Sequence, residues 1–242
     1  MIKIVGDINL SDGFFDTGFG VGSSIKQGAD PFKKLDRSDD DFWIGNFECV
    51  CADTSNKKGS HSKQFLISPR VLSHIKHLNM YGIANNHVMQ HGDKAYKEML
   101  DYFEVNNIQF VGNLNRKSTT FMNNGKKIGI IAFCQRPDNF TKTPLYWSLP
   151  EYDDIRKELT GLTNCDYKIV YVHWGNEFIN HPYIDQKAFA HFLVDSGADL
   201  IVGMHPHVLQ GFEIYKGKHI FYSLGNCVFN MCWNPTKYSI VV

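Results

Sequence analysis

The chain has no net charge, because 25 Lys and Arg balance 25 Asp and Glu over 242 residues. No broad field is available to gather a polyanion, which argues against nucleic acid as a partner. Also missing is any apolar run near the ~18 residues that a membrane-spanning helix needs. Met1-Ile2-Lys3-Ile4-Val5 leads directly into a strand pattern without a signal-peptide core, so the chain as written reads as cytoplasmic. None of its six cysteines, Cys49, Cys51, Cys134, Cys165, Cys227 and Cys232, forms a C-x-x-C pair, and they read as buried thiols. There is no G-x-S-x-G for a serine hydrolase and no Gly-Lys-Ser/Thr for a P-loop. Gly18-Phe19-Gly20-Val21-Gly22 has no strand immediately before it and reads as a flexible loop. Repeats, low-complexity tracts and linker-like stretches are absent too, so residues 1–242 are expected to form one domain.

What is present is a core-forming composition, 43% hydrophobic with 14% aromatic residues. Short apolar runs alternate with helix-like segments along the whole length, the pattern of an α/β fold. Strands are expected at 2–5, 42–46, 80–84, 109–111, 127–133, 168–172, 200–202, 219–223 and 239–242. Tyr96, Met99, Leu100 and Phe103 keep the spacing of one helix face. Phe189, Phe192 and Leu193 do the same ahead of Gly197, a helix-ending residue. Ser11 to Lys34 carries no period and reads as a long loop.

Metal-ligand residue types recur directly after these strands, where an α/β sheet presents its ligands. They occur in Gly6-Asp7-Ile8-Asn9, Asn46-Phe47-Glu48, Ala84-Asn85-Asn86-His87, His173-Trp174-Gly175-Asn176-Glu177 and Gly203-Met204-His205-Pro206-His207. Five strand ends are thereby expected to converge on one edge. Mixed carboxylate and imidazole donors suit one or two divalent ions such as Mn²⁺, Zn²⁺ or Fe. Pro206 between His205 and His207 predicts an irregular segment, a turn that sets both rings toward one centre. Cys227, after Gly225-Asn226, is the one candidate for thiol chemistry and reads as structural.

In this order the motifs, with Tyr222-Ser223-Leu224-Gly225-Asn226, resemble the CapA family of capsule and poly-γ-glutamate synthesis proteins from Gly6 to about Phe229. That family is related to calcineurin-like metallophosphoesterases, which implies a four-layer α/β/β/α sandwich. The resemblance implies that Asp7 and His207 serve one metal, that Asn86, His173 and His205 serve a second, and that Glu48 bridges them. His87 would then protonate the leaving oxygen or steady the phosphate. Asn9 and Glu48 stand where the wider superfamily has His and Asp, a departure the CapA pattern shares. Gln90 stands where the family has an Asp, and an amide can orient His87 without raising its basicity. His91 and Asp93 are near enough in sequence to substitute. Glu177, Asn85 and Asn226 are expected to support the ligands or to touch substrate.

The activity these residues imply is metal-dependent hydrolysis of a phosphoester. The partner is then a small-molecule or polymer substrate, with a γ-glutamyl or polysaccharide chain suggested by the family alone. The rival reading is a non-catalytic accessory protein that binds an acidic polymer or a partner of the synthesis machinery. Family members that act on extracellular capsule are commonly anchored, so a membrane-associated or extracellular location is expected if an anchor is missing from the chain.

Overall fold

The computed structural model describes residues 1–242. In chain order the strands and helices are β1 (Ile2–Ile8), α1 (Val21–Lys26), β2 (Phe42–Phe47), β3 (Val50–Cys51), β4 (Leu66–Ile67), α2 (Pro69–Leu72), β5 (Met80–Gly82), α3 (Asp93–Val105) and β6 (Gln109–Val111). They continue with β7 (Ser118–Asn123), β8 (Lys126–Cys134), α4 (Tyr152–Gly161), β9 (Tyr167–His173), α5 (Ile184–Asp195), β10 (Leu200–Met204), β11 (Phe212–Tyr215), β12 (Lys218–Phe221) and β13 (Asn226–Val228). One sheet has the order β13-β1-β2-β5-β6, and the other β11-β12-β10-β9-β8-β7. No helix is long and apolar enough to cross a membrane.

The sheets pack face to face because several central strands are apolar on both sides. Ile4, Ile44, Met80 and Val111 of the first sheet meet Ile130, Ile169, Val202 and Met204 of the second in one core layer. The outer face of the first sheet is covered by α3, whose Tyr96, Met99 and Phe103 point inward. The outer face of the second is covered by α4 and α5 through Ile155, Leu159, Phe189 and Leu193. These three cores make the four-layer α/β/β/α sandwich. Gly197, in the left-handed region at φ 105°, closes α5 as its position in the sequence predicts.

Several elements depart from the expectations. Within Ser11–Lys34 the structure forms α1, with Asp12 accepting from the backbone N–H of Gly18 and Ser23 at 2.8 Å each. The segment 239–242 is no strand: it is held by a bridge between Gly225 and Ser239 and by paired backbone hydrogen bonds between Val242 and Ile4. Strand β7 is joined to β8 by Asn124-Gly125, both with positive φ (48° and 74°), the geometry of a type I′ hairpin turn. Lys126 and Lys127 begin β8, one residue earlier than the strand expected at 127–133. Among the cysteines, Cys232 is exposed while Cys49, Cys51 and Cys134 are buried, and all six are free. Trp43, Tyr146 and Trp147 are core residues, whereas Phe14 and Phe15 are exposed.

One glycine fixes the strand that leads into the site. A Cβ on Gly6 would run into the backbone carbonyl of Gly225, which cannot move without displacing β13. Gly6→Ala is therefore expected to lower stability by roughly 1–3 kcal/mol. A urea unfolding midpoint equal to that of the wild type would contradict this packing.

Candidate metal centre

Strand register builds the floor of the site. Asn226, Asp7 and Asn46 are side by side across β13, β1 and β2, and His173 is level with Met204 across β9 and β10. The five motifs meet between the ends of two facing sheets, rather than along the edge of a single one. After β10 the chain turns sharply, with positive φ at His205 (97°) and His207 (58°) on either side of Pro206. Such backbone costs about a kcal/mol or more per residue for non-glycine side chains. It swings both imidazoles inward, and the His205 N–H donates to Asp7 Oδ2 at 3.1 Å, tying the two sheets together.

Glu48 lies at the centre, fully buried. Its Oε1 is 3.6 Å from His207 Nε2, 3.8 Å from His173 Nε2 and 3.9 Å from His87 Nε2. These separations exceed hydrogen-bond length, and Oε1 has no hydrogen-bond partner; nor does His205 Nδ1. Donor atoms ~2.1 Å from a tetrahedral ion lie ~3.4 Å apart, so the spacing fits a shared cation better than direct contact. The ligand atoms fall into two close groups, Glu48 with His205 and His207, and Asp7 with Glu48 and His173. Glu48 belongs to both.

The surrounding hydrogen bonds fix each ring. Asn226 Oδ1 is 2.9 Å from His207 Nδ1 while its Nδ2 donates to the Thr236 carbonyl, so the amide is oriented and Nδ1 carries the proton. His207 Nε2 is thereby left to face Glu48. Asn46 Nδ2 reaches Asp7 Oδ1 (2.7 Å) and His173 Nδ1 (3.2 Å), and His173 Nε2 reaches Asn86 Oδ1 (2.8 Å). Asn85 locks this arrangement, donating to Asn46 Oδ1 and to the Phe47 carbonyl. His87 stacks on Phe65 with ring centroids 3.7 Å apart, and its Nδ1 is 2.7 Å from Gln90 Oε1.

Burial, reinforced by the neighbouring Asp7 charge, holds the Glu48 carboxyl well above its ordinary range. Burial also raises Asp7, but hydrogen bonds from His207, Asn46 and the His205 N–H outweigh it and leave Asp7 lowered. Burial pushes His87 down to about 4 and His205 to about 3. His173 is lowered well below its ordinary value by burial and then by the His205 charge. For His207 burial acts downward, yet its bond to Asp7 prevails and the net direction is up. At neutral pH His87, His173 and His205 are thus neutral, the form of imidazole that binds a metal.

The expected site residues divide into those that meet and those that do not. Asp7, Glu48, Asn86, His87, His173, His205 and His207 come together around one point. Asn9 does not present its oxygen there, because Oδ1 accepts from the Ser11 N–H (3.0 Å) and hydroxyl (2.7 Å). Glu177 is exposed at the rim. His91 is held by the Ser55 hydroxyl and the Gln64 carbonyl, away from His87, and Asp93 is exposed at the start of α3. Burial pushes the Cys227 thiol up to about 12, which removes it as a nucleophile. Asn46 is a site residue to which the motifs assign no role. Its place two residues before Glu48, on the same side of an extended strand, was the available signal.

Two facing sheets with His, Asn and carboxylate donors at their strand ends define a metallophosphoesterase-type fold. A 5'-nucleotidase from Candida albicans superposes with a TM-score of 0.54 at 13% identity, over 93% of this chain and 45% of that one. A phosphatase from Mycoplasma pneumoniae gives 0.51 at 16%, over 93% and 71%. At these identities the likeness is one of fold. The family model described as bacterial capsule synthesis protein PGA_cap matches residues 1–231, and the chain belongs to that family. It is 33% identical over 225 residues to the capsule biosynthesis protein CapA of Bacillus anthracis, covering 84% of this chain and 54% of the relative. It is 31% identical over 222 residues to the PGA biosynthesis protein CapA of Bacillus subtilis, covering 84% and 57%. The chain thus spans about half the length of the curated relatives it matches.

Proposed function

We propose that this chain is a metal-dependent hydrolase of a phosphoester in capsule or poly-γ-glutamate metabolism. The observation behind the proposal is the buried, unpartnered Glu48 Oε1 facing three imidazole nitrogens at 3.6–3.9 Å. An isolated buried carboxylate is costly to keep, and a divalent cation compensates it. Glu48, His205 and His207 would hold one ion, and Asp7, His173 and Asn86 with a shared Glu48 would hold a second. Such ions supply Lewis acidity toward water and a phosphoryl oxygen.

The chain's own residues set the rest of the chemistry. Asn46 and Asn226 keep the His173 and His207 rings in place. With its Nδ1 proton engaged by Gln90, His87 presents Nε2 as a proton acceptor. An anionic group in the site favours the protonated ring, so His87 gains its acid role with substrate bound. Phe65, stacked on His87, excludes water from one face. Amide hydrolysis of a γ-glutamyl chain is suggested by the names of the relatives alone.

The test is turnover of bis-p-nitrophenyl phosphate. Activity restored by Mn²⁺ or Zn²⁺ after chelation is expected, with loss as the histidines protonate in acid. A metal-loaded protein without phosphoester turnover would contradict the proposal. It would favour the accessory reading, for which the engagement of Asn9 by Ser11 speaks, since it withdraws one donor from the site.

A further inference from the structure

The rim of the site holds a cation without an acidic partner. Arg136 is two residues beyond Cys134, the β8 position in register with His173 on β9. The intervening Gln135 N–H donates to the His173 carbonyl at 2.8 Å. The Arg136 N–H and carbonyl both engage the Cys134 thiol, at 3.3 and 3.4 Å. Its backbone is therefore pinned beside the metal-ligand strand.

The side chain crosses to the next strand end, where Nη1 donates to Asn176 Oδ1 at 3.0 Å, three residues after His173. Asn176 is neutral, so it positions the guanidinium without cancelling its charge. Arg37, Arg116 and Arg156 are each paired with a carboxylate; Arg70 and Arg136 are not, and of these two Arg70 is exposed on α2 whereas Arg136 is half-buried. The Tyr183 hydroxyl, buried without a hydrogen-bond partner, is near enough to feel the Arg136 charge. A guanidinium with one N–H engaged keeps four donors in a planar fork, a shape that fits two oxygens of one anion.

We propose that Arg136 binds an oxyanion of the substrate, carboxylate or phosphate, at the mouth of the site and so selects anionic substrates. The inference rests on the reading of the pocket beneath it as the place where substrate binds. A phosphoester offers such oxygens at the reacting group itself, and a γ-glutamyl chain offers them on its free carboxylates. The residue acts on binding, and its neighbours Asn176 and Cys134 hold it in position.

The experiment is calorimetric titration of Mn²⁺-supplemented protein with inorganic phosphate and, separately, with L-glutamate. Wild type, Arg136→Gln and Arg136→Lys are compared, with urea midpoints and Mn²⁺ content as controls for folding and metal. The expected result is binding of at least one probe by wild type, weakened tenfold or more in Arg136→Gln and less in Arg136→Lys, with metal content unchanged. Arg136-dependent binding of phosphate assigns the phosphoester source, and of glutamate the carboxylate source. Equal affinities in wild type and Arg136→Gln, or binding of neither probe by wild type, would overturn the inference. Turnover separates it from the hydrolase reading. Arg136-dependent binding without hydrolysis sinks hydrolysis alone, and hydrolysis with an unchanged KM in Arg136→Gln sinks the role of Arg136 alone.

Discussion

Glu48→Gln is expected to lower metal-supported turnover by well over ~100-fold while leaving the metal-free fold as stable as wild type or more so. Replacing a residue that merely supports a ligand costs ~10–100-fold in metal affinity or activity, and Glu48 is placed to be shared between two ions. Glutamine keeps the shape and removes the charge that a cation needs. In the metal-free protein that charge is a burden, because Oε1 is buried, unpartnered and close to Asp7. A purely structural carboxylate would give the opposite pair of results. Unfolding of the chelated variant together with its turnover rate separates the two: lost stability with retained turnover would refute the assignment.

The second large effect is acid sensitivity of the metal-free protein. Burial pushes His77 and His87 down to about 4 and His205 to about 3, and lowers His91 and His173. A histidine with a depressed folded pKa stays neutral in the fold while the unfolded chain takes up a proton near pH 6.5. Stability is then fully present above that pH and is lost as the pH falls through the window from about 6.5 toward 4. For His87 and His205 the loss is on the order of 3 kcal/mol each by pH 4. Glu48 works in the other direction, since its raised pKa means the fold holds a proton that the unfolded chain has released. His207, also raised, gives stability that is complete below pH 6.5 and so adds no slope there. Several histidines against one carboxylate leave a net loss. The urea midpoint of chelated protein is expected to fall steeply between pH 7 and pH 4.5, and a flat or rising midpoint would contradict the burial of neutral imidazoles.

The elements legible in the sequence were those whose burial follows a single period. Helix α3 shows its face in Tyr96, Met99 and Phe103, and β1, β2, β8 and β9 are runs of apolar residues buried between layers. The candidate site residues were legible for a related reason, because they are polar clusters that interrupt apolar strands at their ends. Strands β7 and β11 were not legible, because they lie at opposite edges of the second sheet and bury few side chains. The Asn124-Gly125 pair was nonetheless a usable hairpin signal. Nor was α4, which buries only Ile155 and Leu159 in ten residues.

Within the site, residue type alone did not predict how the side chains are used. Asn9 and Asn46 are chemically identical, yet Asn9 turns back onto Ser11 and Asn46 links Asp7 to His173. The difference arises from strand register and from the path of the loop after β1, which only three-dimensional packing decides. Arg136 was invisible for the same reason, since its partner Asn176 is forty residues away and is brought near by the pairing of β8 with β9.

The central claim is that Glu48, the histidines and Asp7 form a metal centre, and elemental analysis of metal per chain tests it most directly. Protein purified without chelator is compared with His205→Ala after both are incubated with Mn²⁺ or Zn²⁺ and freed of excess metal. The account predicts one or two equivalents in the wild type and a clear loss in the variant, with both proteins folded. Equal metal content in the two proteins, or none in either, would contradict it.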